Sequence, residues 1–94
     1  MPVSKPNEDS RNQDSQAIAL SALAWTLGDD RRAERLLALT GLEPRDLRAR
    51  LNDPAVLDAA LGFLEAHQPD LIACAEALGL KPDRLIAARM DLNI

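Results

Sequence analysis

Apolar positions recur along this chain with a helical period, and Gly, Pro and capping residues cut the pattern into six segments. The first apolar segment, Gln16 to Leu27, carries no charge and contains Trp25, the single Trp. Ile18, Ala22 and Trp25 fall on one face of a helix, and Leu20, Leu23 and Leu27 on another. A helix that is apolar all round is normally buried on several sides, so this one is the expected hub of the core. Asp14 or Ser15 is its expected cap. Residues 1–13 are polar, hold two Pro and show no period. They bury too little apolar surface to offset ordering entropy, which predicts a disordered tail over 1–13 and a single helical domain over 14–92.

Gly28 ends the first helix, and Asp29 and Asp30 open the second, where acids suit the positive end of the dipole. Its inner stripe is Ala33, Leu36, Leu37 and Thr40, with Arg31, Arg32 and Arg35 outside. Gly41 and Leu42 predict a Schellman stop. Pro44 opens a short helix to Leu51, with Leu47 and Leu51 inward and Arg45, Arg48 and Arg50 outward. Asp46 and Arg50 are expected to pair at i, i+4, for roughly 0.3–0.5 kcal/mol. Asp53 and Pro54 form a cap and first turn for a helix reaching about His67. Leu57, Ala60, Leu61 and Leu64 form its stripe, widened by Val56 and Phe63, and Asp58, Gly62 and Glu65 form its wet face. Pro69 opens a fifth helix on Leu71, Cys74, Ala75 and Leu78. Gly79-Leu80 stops it, and Pro82 opens a sixth on Leu85, Ile86 and Met90. The expected core therefore includes Ile18, Trp25, Leu36, Leu57, Leu61, Phe63 and Leu64. Trp25→Ala is expected to cost about 3–5 kcal/mol.

The phrase Gly-Leu-x-Pro-x-x-Leu occurs at Gly41 and again at Gly79, an offset of 38. Without gaps, that offset also aligns Ala17, Ala22, Leu23 and Ala49 with identical residues, and pairs Trp25 with Phe63. Over the aligned stretch eight positions are identical, where a composition so rich in Ala and Leu returns about four by chance. Two readings stand: a duplicated three-helix unit, with helices 1 and 4 equivalent and Trp25 and Phe63 near a pseudo-twofold axis, or one good helix-turn-helix phrase used twice. Either gives a compact bundle, since two units are too few for a solenoid.

Composition sharpens the fold class. Apolar residues make up 47% and aromatics 2%, with no Tyr. Ala, Leu, Arg and Glu favour helix and β-branched residues are few, so the class is all-α: a compact bundle of about six short helices. Single-stranded nucleic acid lacks stacking platforms here. The net charge of -4 excludes a generally basic surface. Residues 31–50 nevertheless carry six Arg against three acids, and residues 51–94 carry three bases against seven acids. The longest nearly uncharged stretch, Ser15 to Gly28, is 14 residues, too short to span a bilayer. Cys74 is the single Cys and cannot staple its own fold. With no apolar leader at the N-terminus, it points to the cytoplasm.

Ala24-Trp25, Leu39-Thr40-Gly41-Leu42-x-Pro44-x-x-Leu47-Arg48, Asp53-Pro54 and Gly79-Leu80-x-Pro82 together resemble a small alphaproteobacterial family. That family is known only as a domain of unknown function, numbered in the three-thousand-five-hundreds. The likeness covers roughly residues 16–90, and Thr-Gly-Leu-x-Pro is its most specific piece. It implies a compact helical fold and carries no activity, cofactor or site residue.

Three constellations bear on function. Ala75 to Leu85 resembles the core of a DNA-binding helix-turn-helix, with Gly79 at the turn and outward residues drawn from Asp83, Arg84, Ala87, Ala88 and Arg89. That face has no Asn, Gln, Ser or Thr to read a base edge, and a turn between two core helices is the favoured reading. The Arg set (Arg31, Arg32, Arg35, Arg45, Arg48, Arg50) suits an acidic partner, RNA or phosphate. Asp29, Asp30, Glu34 and Asp46 balance it, so ordinary solvated faces are the favoured reading. His67 and Cys74 are one His and one Cys seven apart with Pro69 between, a poor metal or catalytic set. The sequence thus leads to a non-enzymatic protein-interaction module without a cofactor. Its expected partner is another protein or a second copy in a homodimer, with an apolar surface strip of helix 1 or helix 4 as the contact. Nucleic acid and membrane are disfavoured partners, and a helix-turn-helix-like regulator is the alternative.

Overall fold

The computed structural model describes the backbone of residues 8–92 and the side chains of residues 14–92. Among the described residues it is all-α, with α1 (Glu8–Leu27), α2 (Asp30–Thr40), α3 (Pro44–Ala49), α4 (Pro54–Glu65), α5 (Gln68–Leu78) and α6 (Pro82–Leu92). The expected tail falls partly outside this range, since residues 1–7 lie beyond it. Residues 8–13 continue α1 instead of remaining irregular. They contain neither Gly nor Pro, and extending an existing helix is far easier than nucleating one.

The central packing is α1 with α6 and α4, and α4 and α5 also pack against α6. The α1 face that enters the core is Ser15, Ala19, Ala22, Leu23 and Thr26, each fully buried. Small side chains there let the neighbouring helices approach closely. The two polar members are satisfied. Ser15 Oγ donates to Asp91 Oδ2 at 2.7 Å, tying α1 to α6, and Thr26 Oγ1 donates back to the Ala22 carbonyl at 2.8 Å. From α4 come Val56, Leu57, Ala60, Leu61, Phe63 and Leu64, from α5 Leu71, Cys74 and Ala75, and from α6 Leu85 and Ala88.

Several expected positions are corrected. Helix α1 is not buried all round: Ala17, Ser21 and Ala24 are exposed and Leu20 is 37% exposed. Of the expected core, Leu36, Leu57, Leu61, Phe63 and Leu64 are buried, whereas Ile18 and Trp25 are only partly buried against the cluster. Leu51 is 36% exposed and Met90 66% exposed. Leu51 leaves the stripe because α3 stops at Ala49, and Met90 because Ala88 takes the inner position on α6.

The two copies of Gly-Leu-x-Pro end their helices differently. Gly41 and Gly79 both adopt left-handed backbone, φ 72° and 71°, where a Cβ is strained. At Gly79 the amide donates to the Glu76 carbonyl and Leu80 N donates to the Ala75 carbonyl at 2.8 Å, the expected Schellman pair. At Gly41 the amide donates to the Leu37 carbonyl at 2.8 Å, and Leu42 N turns to Thr40 Oγ1 at 3.3 Å. Thr40 Oγ1 in turn donates to the Leu36 carbonyl at 2.8 Å. The α2 stop is therefore the single-bond αL motif with a threonine hydroxyl taking the next amide, which corrects the expected Schellman stop.

The halves also differ in placement. Ala22 and Ala60, Leu23 and Leu61, and Leu47 and Leu85 are matched in burial across the offset of 38. Helix α6, however, packs on α1, α4 and α5, while α3 gives the core only Leu47.

Candidate functional site

Asp29 and Asp53 cap α2 and α4, the two helices that border a surface groove. Asp29 Oδ1 accepts from Arg32 N at 3.1 Å, and Asp53 Oδ1 accepts from Ala55 N at 2.9 Å. These amide bonds lower both carboxyl pKa values, Asp53 with help from Arg50. Arg50 lies beyond the end of α3. Its Nε and Nη2 reach Asp53 Oδ2 at 3.0 and 2.9 Å, where the sequence pairs it with Asp46.

Helices α2 and α4 border two adjoining depressions that share Leu39, Phe63 and Ala66. One has a volume of about 470 Å³ and runs along Val56, Ala59 and Gly62, with Arg50 and Arg89 also in its lining. The other, about 400 Å³, ends at Arg35, Ala38 and His67. Phe63 is almost buried and forms the floor, while Leu39 stands 72% exposed on the rim. The Arg35 guanidinium carbon lies 5.4 Å from the Phe63 ring centroid. At this end Asp70 Oδ2 accepts from Arg35 Nη2 at 2.7 Å and lies 2.9 Å from His67 Nδ1, joining α2 to α5.

Along the flank of α4, Arg89 crosses over from α6. Its Nε donates to Asp58 Oδ1 at 2.8 Å and its Nη1 to Glu65 Oε2 at 2.7 Å. These bonds, Asp58 first, raise the Arg89 pKa further above its ordinary value. The guanidinium lies flat over Gly62, so that a Cβ there would meet Arg89 Cζ and Nη2 at 3.0 Å. The expected wet face of α4 is therefore covered by an arginine.

The six arginines of residues 31–50 do not form one patch. Arg35 and Arg50 line the groove from opposite ends. Arg32 turns away to α1: its guanidinium carbon is 3.6 Å from the Trp25 ring centroid, and Nη2 donates to the Trp25 carbonyl at 3.0 Å. Its Nε is buried without a hydrogen-bond partner among the described residues. A cation on the last carbonyls of α1 suits the negative end of that helix. Arg31, Arg45 and Arg48 are exposed.

The helix-turn-helix face is also rearranged. Ala88 is buried, Arg84, Ala87 and Arg89 are half-buried, and only Asp83 of the five is exposed. Cys74 lies inside the core, where burial pushes its thiol up to about 11, while His67 is exposed and turned to Asp70. Among the described residues no group of three or more His, Cys, Asp or Glu is placed to hold a metal. No described helix is long and apolar enough to cross a membrane.

The sequence reading missed Leu39, Ala59 and Ala66 as groove residues. A signal was present for Leu39, a large apolar residue off the Ala33–Leu36–Leu37–Thr40 stripe. Small alanines outside the α4 stripe gave none. No curated protein and no solved structure matches the chain. Residues 12–93 match the family described as a protein of unknown function, DUF3572. A match over that much of the chain shows the family: this chain belongs to the DUF3572 family.

Proposed function

We propose that this chain is a non-enzymatic, cytoplasmic protein-interaction module whose contact surface is the α2–α4 groove. The observation that carries the reading is Leu39, 72% exposed beside a nearly buried Phe63. A large aliphatic side chain left in water on the rim of an apolar depression has the form of a contact anchor. This groove is a better contact surface than the exposed strip of α1, where Ala17, Ser21 and Ala24 accompany only a half-exposed Leu20. The buried thiol of Cys74, pushed above its ordinary range, favours a binding role over thiol chemistry.

The test is a photo-crosslinking amino acid at position 39 in cells of the native host. A discrete adduct from position 39, missing when the crosslinker stands at exposed Arg45, is the expected result. An adduct at twice the chain mass would identify a second copy as the partner. No adduct from position 39 refutes the groove as the contact surface. The nucleic-acid alternative is tested by electrophoretic shift on random duplex at low salt, where contacts by Arg31, Arg45 and Arg48 would give a steep salt dependence. No shift at about 50 mM salt ends it.

A further inference from the structure

We propose that the occupant of the α2–α4 groove is a short amphipathic helix of another protein, apolar on one face and flanked by Asp or Glu. This rests on the groove being the contact surface and adds the chemistry of the partner. The groove follows α4 from Ala55 to Ala66, eleven residues apart, roughly 16 Å at the helical rise, which is three turns of an incoming helix. Most of its lining is apolar, and Phe63 and Leu39 stand where the two depressions join.

Charge selects the partner. Every ionisable residue that lines the two depressions is basic: Arg35 and His67 at one end, Arg50 at the other, and Arg89 beside Gly62 between them. The acids that neutralise them (Asp70, Asp53, Asp58, Glu65) are not part of the lining. Arg35 gives one nitrogen to Asp70 and Arg50 gives two to Asp53, and both side chains are nearly half exposed. Each guanidinium has five N–H donors, so both retain donors that an incoming carboxylate can accept from. A carboxylate at each end of a three-turn helix meets one arginine at each end of the groove. A second copy of this chain fits worse. A twofold contact through the groove sets the same surface against itself and brings like charges together.

The test is an NMR titration of the full-length chain with two three-turn synthetic peptides. They share one Leu face, and their remaining positions are Glu in one and Lys in the other. The expected result is saturable shifts of the Leu39, Phe63 and Ala66 amides with the Glu peptide, and at least about tenfold weaker binding of the Lys peptide. Arg35→Gln and Arg50→Gln should each weaken the Glu peptide severalfold, and Leu39→Glu should abolish its binding without altering the far-ultraviolet circular dichroism. Equal binding of both peptides overturns the charge assignment. Shifts confined to α1 or α5, or none at millimolar Glu peptide, overturn the helix assignment. Shifts of the groove amides on concentrating the chain alone, with a dimer in sedimentation, overturn it in favour of a second copy. An adduct from position 39 in cells combined with peptide failure leaves the interaction function standing and removes only this partner chemistry.

Discussion

Replacing Gly62 by Ala sets two effects of similar size against each other. Gly62 lies in the last turn of α4, and Ala is favoured over Gly inside a helix by about 0.5–1 kcal/mol. The new methyl, however, would stand 3.0 Å from the Arg89 guanidinium, closer than carbon and nitrogen accept at rest. The guanidinium has to lift, and lifting weakens its bonds to Asp58 and Glu65. All three side chains are about one third exposed. With that screening by water, the two ion pairs together are worth about 1 kcal/mol. In the wild-type background gain and loss nearly cancel, and Gly62→Ala should leave stability almost unchanged. In an Arg89→Ala background there is nothing to displace, and the same substitution should stabilise by the full helical gain. The assay is urea unfolding of the four proteins of the cycle. With an m-value of about 1 kcal/mol/M, the midpoint should move by about 0.5–1 M in the Arg89→Ala background and by much less in the wild type. Equal midpoint shifts in both backgrounds would refute the stacking of Arg89 on Gly62.

Trp25 is only partly buried, so Trp25→Ala should cost about 2 kcal/mol in calorimetry instead of the full core value. A loss above about 4 kcal/mol would place the indole in the core after all. Cys74 is held protonated in the folded state, with its thiol at about 11 against an ordinary 9.0. Between those values the unfolded chain releases its proton first, so stability should fall as pH rises from 9 to 11, by about 1–2 kcal/mol. Cys74→Ala should remove most of that slope, and with no Tyr in the chain the window is otherwise little disturbed. Asp53 is depressed below its ordinary 3.8 by the Ala55 amide and Arg50. Its contribution should be present above pH 3.8 and disappear as pH falls through its lowered pKa. Asp53→Asn should therefore flatten the acid limb of a denaturation-against-pH curve, and an unchanged limb would count against the cap.

Helix positions were legible where a local rule fixes them. Asp53-Pro54, Gly41 and Gly79 act within a few residues, so a cap or a left-handed stop can be read directly from sequence. The stripes Leu57–Ala60–Leu61–Leu64 and Leu71–Cys74–Ala75 were legible because a period of 3.6 residues reports one buried face. Helix α1 was harder. From Ala17 onward its residues are apolar or small on every side, so the period that separates inside from outside is missing. Only packing against α4 and α6 placed Ser15 and Thr26 inside and Leu20 outside.

The candidate site was scarcely legible, for a related reason. The arginines of α2 and α3 look alike in sequence, yet neighbours on other helices decide what each one does. Trp25 of α1 takes Arg32, Asp70 of α5 takes Arg35, and Asp53 at the cap of α4 takes Arg50. Arg89 is 24 residues or more from both of its carboxylates, a pairing that no local pattern encodes. Sequence by itself determined the helices, their stops and most of the inward stripes, because these follow from backbone geometry over a few residues. Tertiary structure alone decided which cations were consumed, which glycine became a seat for a guanidinium, and that Leu39 would stand in water above Phe63. Those outcomes depend on the distances between helices, and the order of residues along one helix does not specify them.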